Sequence, residues 1–158
     1  MKITSNPLKG IRYGEAPTGL LRFRPPQPFQ YGNVTWDVSN ESYVKCPQLN
    51  MLDETTTEGQ EDCLLLNIYV PVEAFTQDEL LTVMVWIHGG ALLYESNSFE
   101  SQGPQDYMDR NVIVVTINYR LGPMGFLSLG TNEVSGNAGF LDQNLALKWV
   151  QDNIEAFH

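Results

Sequence analysis

The stretch that decides the fold is Thr82-Val83-Met84-Val85-Trp86-Ile87-His88-Gly89-Gly90-Ala91. Thr82 to His88 is a nearly continuous apolar run rich in β-branched residues, and it stops at two glycines. Such a run reads as a strand buried on both faces. A tight turn of small residues at a strand end lets backbone N–H groups face open space, where they can hold the oxyanion that develops in acyl transfer. Taken alone, the pattern fits an ordinary β-turn equally well.

Two further runs read as strands, Leu64 to Val70, bounded by Pro71, and Val112 to Tyr119, which ends before Gly122-Pro123. Pro104 to Arg110 reads as a short helix. The best helix is C-terminal: Leu141, Leu145, Trp149, Val150, Ile154 and Phe157 recur at steps of three, four and seven, giving one apolar face. Asn137 is its expected N-cap, and Asp142 suits its early turns through the helix dipole. Residues 1–30, punctuated by Pro17, Pro25, Pro26 and Pro28, read as extended chain and turns. The polar segment 46–62, with Asp53, Glu54, Glu58 and Glu61, reads as a loop. Trp36, Trp86 and Trp149 are expected in the core. Strands alternating with helical segments predict an α/β fold.

The 158 residues are 42% apolar and 18% charged, which is a globular composition. A net charge of −10 argues against nucleic acid, because phosphate binding needs clustered Lys and Arg. No apolar run reaches the length of a membrane-spanning helix. The first residues contain no apolar signal-peptide core. Asn33-Val34-Thr35 and Asn40-Glu41-Ser42 are glycosylation acceptors if the protein enters the secretory pathway. No metal cluster, phosphate loop or cofactor motif is present, so no cofactor is expected. Two cysteines, Cys46 and Cys63, are either a bridge or a pair of reduced buried thiols, depending on the compartment.

Several segments lie in the order shown by type-B carboxylesterases. Gly10-Ile11-Arg12-Tyr13 with Ala16-Pro17, followed by Leu21-Arg22-Phe23-Arg24-Pro25-Pro26, resembles that family's opening motif. Cys46-Pro47-Gln48 is similar to its first Cys-x-Gln. Glu61-Asp62-Cys63-Leu64-Leu65-Leu66-Asn67-Ile68-Tyr69-Val70-Pro71 resembles its second signature. Asn118-Tyr119-Arg120-Leu121-Gly122-Pro123 and Gly136-Asn137-Ala138-Gly139-Phe140-Leu141-Asp142-Gln143 are similar to its later segments. His88-Gly89-Gly90-Ala91 takes the place of its oxyanion turn.

The resemblance implies an α/β-hydrolase: a mixed, mostly parallel sheet flanked by helices, with residues 1–158 as the N-terminal part of one domain that stops before the nucleophile elbow. It implies a serine esterase acting on small-molecule carboxylic esters through an acyl-enzyme. The oxyanion donors are then the N–H groups of Gly90 and Ala91, with His88 and Gly89 as turn positions. No Gly-x-Ser-x-Gly occurs, and neither His88 nor His158 fits the base, so no triad residue is present and the chain alone is expected to be inactive. The resemblance further implies a Cys46–Cys63 disulfide, the ion pairs Arg22–Glu61 and Arg120–Asp142, and an extracellular or secretory location for the full-length parent. Two departures from the family pattern stand near the turn, Leu92 in place of Phe and Glu95 in place of Gly. An anion beside an oxyanion site opposes it by roughly 1–4 kcal/mol, depending on distance and burial. They motivate an alternative, a cholinesterase-like adhesion or binding protein without the chemistry.

Overall fold

The structure is a computed structural model that describes residues 8–32, 44–50, 53, 55–72, 74, 80–98 and 104–157. Asn33, Trp36, Asn40 and His158 lie outside them.

Among the described residues, six strands and three α-helices follow in chain order: β1 (Leu8–Arg12), β2 (Gln48–Leu49), β3 (Thr57–Glu58), β4 (Leu65–Tyr69), β5 (Thr82–Ile87), α1 (Gln105–Met108), β6 (Val112–Ile117), α2 (Gly122–Phe126) and α3 (Ala138–Asn153). The main sheet has the order β1-β4-β6-β5. Strands β1/β4 and β4/β6 pair antiparallel, while β5/β6 pair parallel over six residues from Thr82↔Val112 to Ile87↔Ile117. The fold is thus a mixed sheet flanked by helices. Among the described strands its parallel portion is the β5/β6 pair.

Sheet order explains burial. The inner strands β4 and β6 are covered on both faces, as continuous apolar runs require. Leu66, Ile68, Ile113, Val115 and Ile117 face the core shared with Ala146 and Val150 of α3. Leu65, Asn67, Tyr69, Val114 and Thr116 alternate onto the other face and are buried as well. β5 departs from the expectation. It ends the sheet, its four inner residues are half-buried and both its ends are exposed. Val83 and Val85 still turn toward the core, but Trp86, expected in the core, is only half-buried on the opposite face.

Sequence-based expectations are corrected at several places. Residues 8–12, read only as part of a stretch of extended chain and turns, form β1, because β4 offers an edge whose partners periodicity cannot reveal. Segment 46–62, read as a loop, contains the β2/β3 hairpin. The buried stripe of α3 is Ala138, Asp142, Ala146 and Val150, an i+4 row, whereas Leu141 is exposed. Leu145, Trp149, Ile154 and Phe157 pack around that stripe only in part. Asn137 does begin α3, but with φ 57° and no side-chain cap; its carbonyl receives the amides of Phe140 and Leu141 instead. Asp142 serves an ion pair rather than the helix dipole.

That pair joins sheet to helix. Arg120, just past β6, donates from its backbone N, Nε and Nη2 to the two Asp142 oxygens at 3.0, 2.8 and 2.7 Å. Both side chains are at most 1% exposed. Burial raises the Asp142 carboxyl pKa, and the opposing hydrogen bonds and charge of Arg120 do not fully offset it. The helices come close because glycine faces the Arg120 carbonyl: a Cβ on Gly139 would lie 2.5 Å from that oxygen, and one on Gly125 2.2 Å.

Candidate active site

The chain leaves β5 at His88, and residues 88–97 return over the carboxyl ends of β5 and β6. Gly89 has open space where a Cβ would stand. Gly90 has φ 98°, and a Cβ there would meet the Tyr94 carbonyl oxygen at 2.1 Å, so only glycine fits. Ala91 and Leu92 follow at φ 52° and 63°.

The turn fixes the direction of its amides. His88 Nδ1 lies 3.0 Å from the Gly89 carbonyl oxygen, and a carbonyl only accepts, so the ring is held as the Nδ1–H tautomer. The Gly90 carbonyl accepts from the amides of Leu93 at 2.9 Å and Tyr94 at 3.2 Å. In a trans peptide the N–H points opposite to the preceding C=O. Both carbonyls are engaged by groups of the turn itself, so the N–H groups of Gly90 and Ala91 point away from those bonds. Among the described residues neither amide donates to a protein acceptor. Two adjacent free donors next to an open position can bind a concentrated negative charge.

His88 is buried and stacks on Tyr119, with ring centroids 4.4 Å apart. Its pKa is lowered, chiefly by desolvation, against smaller raising effects of the Gly89 hydrogen bond and the Glu95 charge. The ring is therefore neutral at pH 7. It acts on the turn through Nδ1, and its Nε2 is buried without a protein partner among the described residues.

The turn is held at three points. Tyr119 Oη donates to the His88 carbonyl at 2.9 Å, and the Gly122 amide donates to the Leu92 carbonyl at 2.7 Å. Gln48 grips Glu95 by both backbone groups: Oε1 accepts from Glu95 N at 2.8 Å, and Nε2 donates to Glu95 O at 2.9 Å. Beyond it, Asn97 is held by side chains of β4, β6 and Asn118. Its amide donates to Asn118 Oδ1 at 2.7 Å, and its carbonyl accepts from Thr116 Oγ1 at 3.0 Å and Asn67 Nδ2 at 3.2 Å. Asn118 Nδ2 reaches the Val44 carbonyl at 2.7 Å. The sequence reading left the side chains of Gln48, Asn67, Asn97, Thr116 and Asn118 without a role. Burial of polar side chains in and around the strands was their only signal, and that requires the fold.

Glu95 has φ 89°. The resemblance places glycine there, and the conformation supplies the reason. Its side chain is exposed, and its charge reaches His88.

The remaining expected positions are also placed. Cys46 and Cys63 form a disulfide with Cα atoms 5.1 Å apart. Arg22 makes a two-point contact with Glu61, both bonds 2.8 Å, at the surface. Beside it stands a pair that the sequence reading did not name, Arg12 with Asp62. No helix among the described residues is long and apolar enough to cross a membrane.

A sequence model for the carboxylesterase family matches residues 4–158. The chain belongs to the carboxylesterase family. It is 45% identical to venom carboxylesterase-6 of Apis mellifera over 94% of this chain and 27% of that protein. It is 43% identical to a juvenile hormone esterase of Tribolium castaneum, covering 94% of this chain and 25% of that protein. Identity to the para-nitrobenzyl esterase of Bacillus subtilis is also 43%, over 94% of this chain and 31% of that protein. The chain thus spans about a quarter to a third of the length of these relatives.

Proposed function

We propose that residues 1–158 are the N-terminal part of a serine hydrolase of carboxylic esters and supply its oxyanion site. The observation that carries this reading is that the Gly90 and Ala91 amides meet no protein acceptor among the described residues, while the carbonyls of the same two peptides are engaged by His88 Nδ1 and by the Leu93 and Tyr94 amides. During attack on an ester carbonyl, negative charge gathers on its oxygen. Preformed donors stabilise that charge without reorganising at the moment of reaction. Nucleophile, base and acid would come from the rest of such a protein, because this sequence holds no Gly-x-Ser-x-Gly. The Ala91 methyl leaves its N–H available. The names of the relatives support a small-molecule ester as substrate. The disulfide supports an oxidising, extracellular or secretory location.

The test is fluorophosphonate labelling of the full-length product, paired with p-nitrophenyl acetate hydrolysis by the 158-residue chain. Labelling of the former and no turnover by the latter above a boiled control are expected. Well-folded full-length protein that resists the probe would overturn the reading. It would favour a cholinesterase-like adhesion or binding protein, for which the Glu95 carboxylate at the turn is the specific observation.

A further inference from the structure

We propose that Gln48 is a positioning residue for the two oxyanion donors, holding the 88–95 turn in its donor-outward shape from a platform built around the Cys46–Cys63 disulfide. The inference rests on the oxyanion reading above and adds a residue that acts only through the backbone.

Gln48 is buried, and its amide is nearly saturated. Its two N–H bonds go to Glu95 O at 2.9 Å and Cys46 O at 3.0 Å, and its oxygen accepts from Glu95 N. Only this orientation of the amide satisfies all three partners. A side-chain amide thereby pairs with one residue's N–H and C=O together, as a neighbouring strand would. The grip falls where the backbone most needs it: Glu95 sits at φ 89°, and Ala91 and Leu92 are also left-handed. Each such non-glycine residue raises the energy of the turn and favours relaxation to another shape.

The base of Gln48 is immobile for separate reasons. Its backbone belongs to β2, paired Gln48↔Glu58 with β3. Two residues earlier the disulfide ties the chain to Cys63 beside β4. Gly59, at φ 90°, lets the chain pass so close to Cys46 that a Cβ would lie 2.4 Å from its carbonyl oxygen. Lys45 pairs with Glu58 at 2.9 Å, and the Gln60 amide donates to the Lys45 carbonyl at 2.9 Å. The polar segment between the cysteines is therefore the support from which one side chain reaches across 47 residues of sequence to the turn.

The experiment follows backbone amide NMR signals of the whole chain in Gln48→Glu and Gln48→Leu. Wild type over the same pH range is the reference, because it carries every ionisable group near the turn except the one introduced at position 48. Protonated, the introduced carboxyl can both donate and accept; ionised, it loses its donor to Glu95 O. In Gln48→Glu the Gly90, Ala91 and Glu95 amides should therefore move together along that added titration. Amides of Val114 and Ile117 should not move. Gln48→Leu, which adds no charge, should displace the same three signals with no pH dependence beyond that of wild type and speed exchange of the Glu95 amide about tenfold. If Gln48→Glu does not fold, Gln48→Leu decides alone. A response at Glu95 with none at Gly90 and Ala91 overturns the proposal and leaves the oxyanion reading intact. Failure of fluorophosphonate labelling sinks that reading but does not touch the NMR result.

Discussion

Replacing Asp142 by Asn removes one charge and almost no volume, and the structure fixes what is left behind. Arg120 stays 1% exposed, with its Nε, Nη2 and backbone N aimed at an amide that can accept but not neutralise. Its Nη1 already lacks a protein partner among the described residues. Breaking a buried pair on one side costs about 3–5 kcal/mol, because an uncompensated charge remains out of water. Unfolding entropy of about 2.1 cal/mol/K per residue gives roughly 0.3 kcal/mol/K for this chain, so Tm should fall by about 10–15 °C. The assay is thermal unfolding of the chain by circular dichroism, with two-state behaviour checked by a second probe. The double variant Arg120→Met with Asp142→Leu removes both charges and should recover at least half of the loss. A fall of less than about 3 °C in Asp142→Asn, or a double variant no better than the single one, would refute the reasoning.

Gly90→Ala should unfold or distort the turn, because the methyl meets the Tyr94 carbonyl. Gly89→Ala should keep wild-type Tm, because its methyl enters open space, and a Tm fall in both would contradict the turn geometry. Glu95→Gly relieves a left-handed glutamate and should stabilise the chain by about 1 kcal/mol in urea unfolding. The same change should lower the His88 pKa further, read by NMR titration, since Glu95 raises it. Asp53 is held down to about 2, chiefly by the backbone amides of Thr56 and Thr55 and the Thr56 hydroxyl. Its folded pKa lies below the unfolded value, so its contribution is present above pH 3.8 and disappears as pH falls through about 2. A carboxyl NMR titration should give that midpoint, with faster exchange at the Thr55 and Thr56 amides below it.

Local pattern carried the fold a long way. Apolar runs of seven to eight residues marked β4, β5 and β6, and the His88-Gly89-Gly90 ending marked the turn. Motif order supplied the partners of Arg22 and Arg120. Where the reading failed, partners distant in sequence decided the outcome. β1 and the β2/β3 hairpin are short, and neither alternates cleanly enough to stand out without the strand beside it. Leu141 matched the helical period yet lies outward, because the stripe through Asp142 is drawn in by Arg120.

The sequence by itself determined membership and the place of the glycine turn proposed as the donor, since both reside in contiguous residues whose chemistry reads locally. Only the tertiary structure decided which amides of that turn are left without a protein acceptor and what holds its shape. Those depend on the Gly89 and Gly90 carbonyls being engaged within the turn, on φ 89° at a glutamate, and on Gln48 reaching Glu95 from a disulfide-bound hairpin. A hydrogen bond between positions 48 and 95 leaves no period, spacing or composition in the chain. It exists only once the sheet has brought its ends together.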